Sequence, residues 1–91
     1  MSGPYELRIY GPARWSLEER LPLAVALAVW KFCNGPLRDE PQRVGRPFGR
    51  ELDGYFSARR GAYRLIYRVH ADARIVHVVR IEHRADVYRP R

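Results

Sequence analysis

The segment AYRLIYRVHADARIVHVVRI, residues 62–81, decides the fold. Its first part alternates between two sets of side chains, as a strand with two different faces does. One set is Tyr63, Leu65, Tyr67 and Val69, and the other is Arg64, Ile66, Arg68 and His70. Residues 71–73 form a short hairpin link, and residues 74–81 are rich in Ile and Val. This composition predicts that residues 74–81 form the most central strand of an antiparallel sheet.

The chain before this hairpin predicts a strand and two helices. Residues 5–10 alternate and carry aromatic and branched side chains, which indicates a strand that ends at Gly11-Pro12. A short charged helix follows over residues 13–20, with Trp15 as its apolar anchor. A second helix begins near Pro22 and ends at Asn34-Gly35-Pro36, because glycine suits the cap and proline cannot continue the helix. Its apolar residues at helical spacing are Leu23, Ala26, Leu27, Trp30 and Cys33.

The remaining segments complete one domain over residues 1–91. Residues 37–49 contain too many Pro and Gly residues for regular structure and predict a loop. Residues 52–59 predict a strand, Gly61 a turn, and residues 82–91 a tail. The order is therefore β-α-α-β-β-β. It predicts an α+β domain with two N-terminal helices packed on one face of a mainly antiparallel sheet.

Composition limits the classes of function. The chain has 91 residues, of which 46% are hydrophobic and 30% charged, which is typical of one globular domain with a modest core. Its longest apolar run, residues 23–30, is far shorter than the roughly 20 residues needed to cross a bilayer, so we expect a cytoplasmic protein. The single Cys33 forms no internal disulfide, and no Cys/His spacing indicates zinc. We therefore expect neither a metal nor a cofactor.

Positive charge is concentrated in the second half of the chain. Residues 1–42 carry five basic and five acidic side chains, whereas residues 43–91 carry twelve arginines against five acids and hold the whole net charge of +7. Guanidinium groups match phosphate oxygens in bidentate fashion and stack on bases. This asymmetry indicates that the second half binds a polyanion. The alternative is that individual arginines are ordinary surface residues, either solvated or, as for Arg64 and Arg84, paired with Asp53, Glu82 or Asp86.

Three segments together resemble the RelE branch of the RelE/ParE toxin superfamily. They are GPLRDEPQRVGRPF at residues 35–48, LDGYFSARRGAYRLIYR at residues 52–68, and HRADVYR at residues 83–89. The resemblance covers nearly the whole chain and implies two helices against a curved antiparallel sheet. It also implies a concave RNA site, cleavage of messenger RNA in the ribosomal A site, and an acidic antitoxin that wraps the toxin.

The resemblance also indicates the site residues. Arg59, Arg64, Arg84 and Tyr88 match positions of the family motifs, whereas Arg46 stands where the family usually has lysine. Arginine stays protonated, so Arg46 can hold RNA but cannot act as a base. The predicted catalytic residues are Arg59, Arg84, His83 and Tyr88. The predicted RNA-binding residues are Arg46, Arg50, Arg60, Arg64 and Arg89.

Cleavage without a metal needs an activated 2′-hydroxyl, stabilised charge on the phosphorus oxygens and a proton for the departing 5′ oxygen. Arg59 and Arg84 suit the second task. His83 can take or give a proton near neutral pH, or it is a hydrogen-bonding residue of the fold. Tyr88 is the acid, the base or a platform on which a nucleobase stacks.

Two other functions and one surface stay open. A ParE-like toxin of the same fold would act on DNA gyrase without cutting RNA, and a non-catalytic basic module would only bind RNA or the ribosome. Residues 23–30 are apolar all round the second helix, which is wider than one packed face needs. Part of this segment is either an antitoxin-binding surface or an alanine-rich outer face with no partner.

Overall fold

The computed structural model describes residues 4–49 and 54–83. The first half forms β1 (Glu6–Ile9), α1 (Gly11–Trp15) with a π-helical continuation (Ser16–Arg20), α2 (Leu23–Asn34) and α3 (Pro36–Asp39). The second half forms β2 (Arg46–Pro47), β3 (Tyr55–Arg60), β4 (Tyr63–His70) and β5 (Ile75–His83). None of the described helices is long and apolar enough to span a membrane.

All five strands form one sheet in the order β1-β5-β4-β3-β2. Among the described strands, β1 pairs with β5 in parallel and the other neighbours pair antiparallel. The connection from β1 to β5 contains the helices and the strands β2 to β4, which is long enough for the crossover that parallel pairing requires. The α+β class and the antiparallel hairpin are as predicted. The prediction that residues 74–81 form the most central strand is wrong, since β4 lies in the middle and β5 lies between β4 and β1.

The helices cover one face of the sheet with a different set of side chains from the predicted one. Val29, Phe32 and Cys33 of α2 are buried against Leu65, Tyr67 and other sheet residues of the core. The predicted anchor Trp15 is 56% exposed, and the small side chains of Ala13 and Ser16 are buried in its place. The predicted set on α2 is right for Cys33, which is buried, and wrong for Leu23, Leu27 and Trp30, which are 75%, 50% and 49% exposed.

The predicted loop over residues 37–49 contains two short regular elements. Pro36 occupies the first turn of α3, where its missing N–H is not needed, and Leu37 is fully buried. Arg46 and Pro47 form β2, and Arg46 pairs with Ser57 of β3. At the other end, β5 extends to His83, beyond the start of the predicted tail at residue 82. The rest of that tail, residues 84–91, lies outside the described residues.

Burial of Cys33 gives a simple measure of global unfolding. Desolvation raises the pKa of its thiol to about 12. Cys33 of the native protein should therefore not react at pH 8 with an aromatic disulfide reagent that releases a coloured thiolate. The urea-unfolded chain should release one equivalent of that thiolate, since Cys33 is the single cysteine. Because the folded-state pKa is the higher one, stability should fall as the pH rises above about 9. Rapid labelling of the native protein would contradict this placement.

Candidate nucleic-acid interface

The face of the sheet opposite the helices, called here the open face, carries charged side chains from three neighbouring strands. Arg59 of β3 lies directly opposite Arg64 of β4, and Arg64 lies opposite Glu82 of β5. Residues directly opposite each other on paired strands project from the same face of a sheet, whereas consecutive residues along one strand project from opposite faces. The buried Leu65 and Ile81 therefore face the helices, while Arg59, Arg64 and Glu82 face outward.

A cavity of about 630 Å³ opens along β2 and β3 on this face. We call it the arginine groove. It is lined by Arg43, Val44, Gly45, Arg46, Pro47, Ser57, Ala58, Arg59 and Arg64. Its charged lining residues are thus all arginines, which fits a phosphate-bearing ligand.

The charges in the arginine groove are only partly compensated. Arg59 on β3 and Arg64 on β4 lie directly opposite each other, and like charges in that position destabilise a sheet. Arg64 donates to Glu82 Oε1 at 3.0 Å, and Arg43 pairs with Glu40 at the outer edge. Within residues 4–49 and 54–83, neither Arg46 nor Arg59 forms a salt bridge. An anion bound between the arginines would relieve their mutual repulsion.

One wall of the groove is held in place by a close approach at Gly45. A side chain there would collide with the Tyr67 hydroxyl and would come within 2.6 Å of the Ser57 carbonyl oxygen, so only glycine fits. The Tyr67 hydroxyl donates to the Pro41 carbonyl at 2.6 Å. Burial raises the pKa of Tyr67 to about 12, so the hydroxyl keeps the proton it donates. Together these contacts hold the segment that carries Arg43 and Arg46.

A second concavity, of about 340 Å³, adjoins the arginine groove and shares Arg64 with it. We call it the apolar cavity. It is lined by Pro12, Phe48, Tyr55, Arg64, Ile66, Val79, Arg80 and Glu82. Aromatic and aliphatic side chains beside a few polar groups are the lining that a nucleobase uses for stacking. A cationic groove therefore lies directly beside a cavity fit for a base.

Glu82 is a candidate functional residue that the sequence analysis missed. Its carboxylate lies between Arg64, at 3.0 Å, and Arg80, whose Nε is 3.7 Å away. The side chain is 22% exposed. The sequence signal was the alternation of residues 80 and 82 on β5, but only the strand register shows that Glu82 faces Arg64.

The structure brings together three of the predicted site residues and separates two. Arg46, Arg59 and Arg64 all line the arginine groove. Arg60 projects to the helix side, where its guanidinium carbon lies 3.9 Å from the centre of the Phe32 ring. The ring of His83 packs edge-on against Tyr63, at 4.8 Å between centroids, on the face that carries Leu65. The remaining predicted site residues lie outside the described part of the chain: Arg50, Arg84, Tyr88 and Arg89.

The other two histidines lie at the far end of the open face. The rings of His70 and His77 are 4.7 Å apart, and Tyr10 packs against His77. Burial lowers the pKa of His77, and the charges of His70, Arg8 and Arg68 lower it further. Neither histidine lines the arginine groove or the apolar cavity.

A family model described as the ParE toxin of type II toxin–antitoxin systems, parDE, matches residues 18–88, which is most of the chain. The chain belongs to the RelE/ParE family of toxins. This RelE-family toxin is 49% identical to Toxin RelG of Mycobacterium tuberculosis over 86 residues, covering 94% of this chain and 98% of the relative. It is 39% identical to Toxin RelE of the same organism, covering 94% of this chain and 88% of that one.

A solved structure gives the same result for the fold. The RelBE2 toxin–antitoxin complex of Mycobacterium tuberculosis contains a chain that matches this toxin with a TM-score of 0.82 and 46% identity. The match covers 90% of this chain and 100% of that one. The RelE-like fold and the assignment to a type II toxin–antitoxin system, both implied by the sequence resemblance, are therefore confirmed.

Proposed function

We propose that this RelE-family toxin inhibits translation by cutting messenger RNA on the ribosome, as a metal-independent endoribonuclease. One observation carries the proposal: Arg46, Arg59 and Arg64 line a single groove on the open face, and Arg46 and Arg59 lack a carboxylate partner within the described residues. The apolar cavity beside the groove supports it further. A phosphate and its neighbouring base would each find a matching surface.

In this proposal the cut occurs by attack of a 2′-hydroxyl on the adjacent phosphorus. Arg59 and Arg64, together with Arg84, stabilise the extra negative charge on the phosphorus oxygens, because fixed guanidinium groups need no reorganisation as that charge develops. Arg46, with Arg50 and Arg89, holds neighbouring phosphates. Tyr88 stacks on a base or transfers a proton. The ribosome contributes by fixing the geometry of the message, which can account for a large part of a rate enhancement.

We also propose an acidic antitoxin as the partner of this toxin. The chain carries a net charge of +7, which favours a negatively charged protein. Trp15, Leu23, Leu27 and Trp30 are large apolar side chains left exposed on the helices. Such a group of exposed residues is typical of a protein interface. The antitoxin would thus cover the helical surface and neutralise the basic second half of the chain.

The test is expression of the toxin without an antitoxin, followed by primer extension on cellular messages. We expect growth arrest and new 5′ ends confined to translated regions, and almost no cleavage of naked RNA by the purified toxin. Filamentation and DNA damage without RNA cleavage would favour the gyrase alternative. Ribosome binding with intact messages would favour a non-catalytic module.

A further inference from the structure

The proposed reaction needs a proton acceptor for the 2′-hydroxyl, and the arginines cannot supply one because they stay protonated. The single lysine of the chain, Lys31, is on α2 on the other side of the sheet. His83 faces the helices and packs on Tyr63. Within residues 4–49 and 54–83, neither the arginine groove nor the apolar cavity is lined by a lysine or a histidine that could accept this proton.

Glu82 is the carboxylate that lines the apolar cavity. Its Oε1 accepts a hydrogen bond from Arg64, which fixes the orientation of the side chain. Its Oε2 is 3.7 Å from Arg80 Nε, too far for a hydrogen bond, so this oxygen keeps its acceptor capacity. The carboxylate is thus oriented, partly shielded from water, and has one oxygen available to a ligand.

The lining residue that the two cavities share, Arg64, would place Glu82 beside the reacting atoms. In RNA the attacking 2′-hydroxyl belongs to the nucleoside whose 3′ oxygen carries the scissile phosphate. If that phosphate binds in the arginine groove and the base enters the apolar cavity, the ribose between them lies over the shared wall. Arg64 forms that wall, and Glu82 is its hydrogen-bond partner.

We propose that Glu82 is the general base of the reaction and that the apolar cavity binds the nucleoside on the 5′ side of the cut. Glu82 Oε2 takes the proton of the 2′-hydroxyl as its oxygen bonds to phosphorus. The bond between phosphorus and the 5′ oxygen breaks, and that oxygen takes a proton from water. The products are a 2′,3′-cyclic phosphate and a free 5′-hydroxyl, and Glu82 returns its proton to solvent. This inference rests on the proposed endoribonuclease function.

A purely structural role for Glu82 would be to orient Arg64. The two roles differ in how the cleavage rate depends on pH, because a general base must be ionised before the cut. They also differ in the effect of Glu82→Gln, since glutamine can still accept a hydrogen bond from Arg64 but cannot take a proton. The charged groups that face Glu82 within the described residues are Arg64 from β4 and Arg80 from β5 itself. Both stay protonated throughout the range to be measured, so neither produces an acidic limb of its own.

The experiment measures single-turnover cleavage of messenger RNA in the A site of preassembled ribosome complexes across acidic and neutral pH. Glu82→Gln should slow cleavage by about 100-fold or more and remove the acidic limb of the profile. Glu82→Asp should keep that limb at a lower rate. Added formate should restore activity to Glu82→Ala in proportion to its concentration. The matched control is Glu18→Gln, which removes another glutamate paired with an arginine at 3.1 Å, on the helical side.

Each outcome distinguishes the two proposals. If the parent toxin cuts no message, the proposed function fails. If the parent cuts and Glu82→Gln cuts almost equally fast with the same pH profile, only the role of Glu82 is overturned. If the circular dichroism of Glu82→Gln shows that this variant is not folded, the test uses the pH profile of Glu82→Asp and the formate response of Glu82→Ala instead. A flat pH profile for Glu82→Asp together with no formate response of Glu82→Ala overturns the inference.

Discussion

Arg59→Ala should reduce cleavage of ribosome-bound messenger RNA by about 100-fold without lowering the thermal stability of the toxin. The loss follows from removing one fixed cation that stabilises charge in the transition state, which typically costs about 10²–10³ in rate. Stability should hold or rise by a few tenths of a kcal/mol, because Arg59 lies opposite Arg64 and forms no salt bridge within the described residues. Cleavage assays and thermal melts on the same preparation measure both effects.

The control for this prediction is Arg14→Ala, which removes an exposed arginine from α1. It should leave the cleavage rate unchanged. Combining Arg59→Ala with Arg84→Ala should reduce cleavage further than either change alone. If the double variant cleaves as fast as the parent, the arginines are surface residues and the assignment of the site is wrong.

Trp30→Ala should weaken the complex with the antitoxin by about 30-fold or more. Half-exposed tryptophans on an apolar helix face are frequent hot spots, where truncation costs roughly 2–4 kcal/mol of binding free energy. Cleavage by the free toxin should not change, because Trp30 lines neither the arginine groove nor the apolar cavity. Calorimetric titration of toxin with antitoxin gives the affinity, and inhibition of cleavage by added antitoxin gives a second readout.

Lys31→Ala is the control for the helix, since it changes the next residue of α2, an exposed charge. It should alter the affinity much less than Trp30→Ala does. An unchanged affinity for the Trp30 variant would show that the exposed apolar residues of α2 are an outer face without a partner. That was the second of the two explanations that the sequence left open.

The sequence predicted the hairpin well because burial and alternation agree there. Leu65, Tyr67 and Val69 have both the strand period and the buried position. In α2 the same reasoning included the buried Cys33 but also chose the exposed Leu23, Leu27 and Trp30, because that helix is apolar all round and its periodicity does not distinguish Leu27 from Val29. Tertiary packing, through Phe32 and Cys33, decides which side is buried.

The position of Glu82 beside the arginine groove has a specific geometric cause. The pairing of β4 with β5 shifts by one residue between Ile66 and Tyr67. Without this bulge, the register that joins Val69 to Val76 would place Ile81 opposite Arg64; with it, Glu82 takes that place. Alternation along β5 alone cannot reveal an extra residue, so the sequence left Glu82 as one of three possible carboxylate partners of Arg64, with Asp53 and Asp86, and the strand register identifies Glu82 as the partner. Arg60 and His83 lie on the helix side for the related reason that neighbouring residues on a strand face opposite sides.

The tight fit at Gly45 has a practical consequence for finding the partner in living cells. One added methyl group there would push the Arg43–Arg46 segment away from Ser57 and Tyr67, whereas the exposed α2 residues Leu23, Leu27 and Trp30 line no part of the arginine groove. A Gly45→Ala chain should therefore fold, expose the same helical surface and leave its host able to grow. Such a harmless form would serve as bait for an antitoxin where the parent would stop the culture before any partner accumulated.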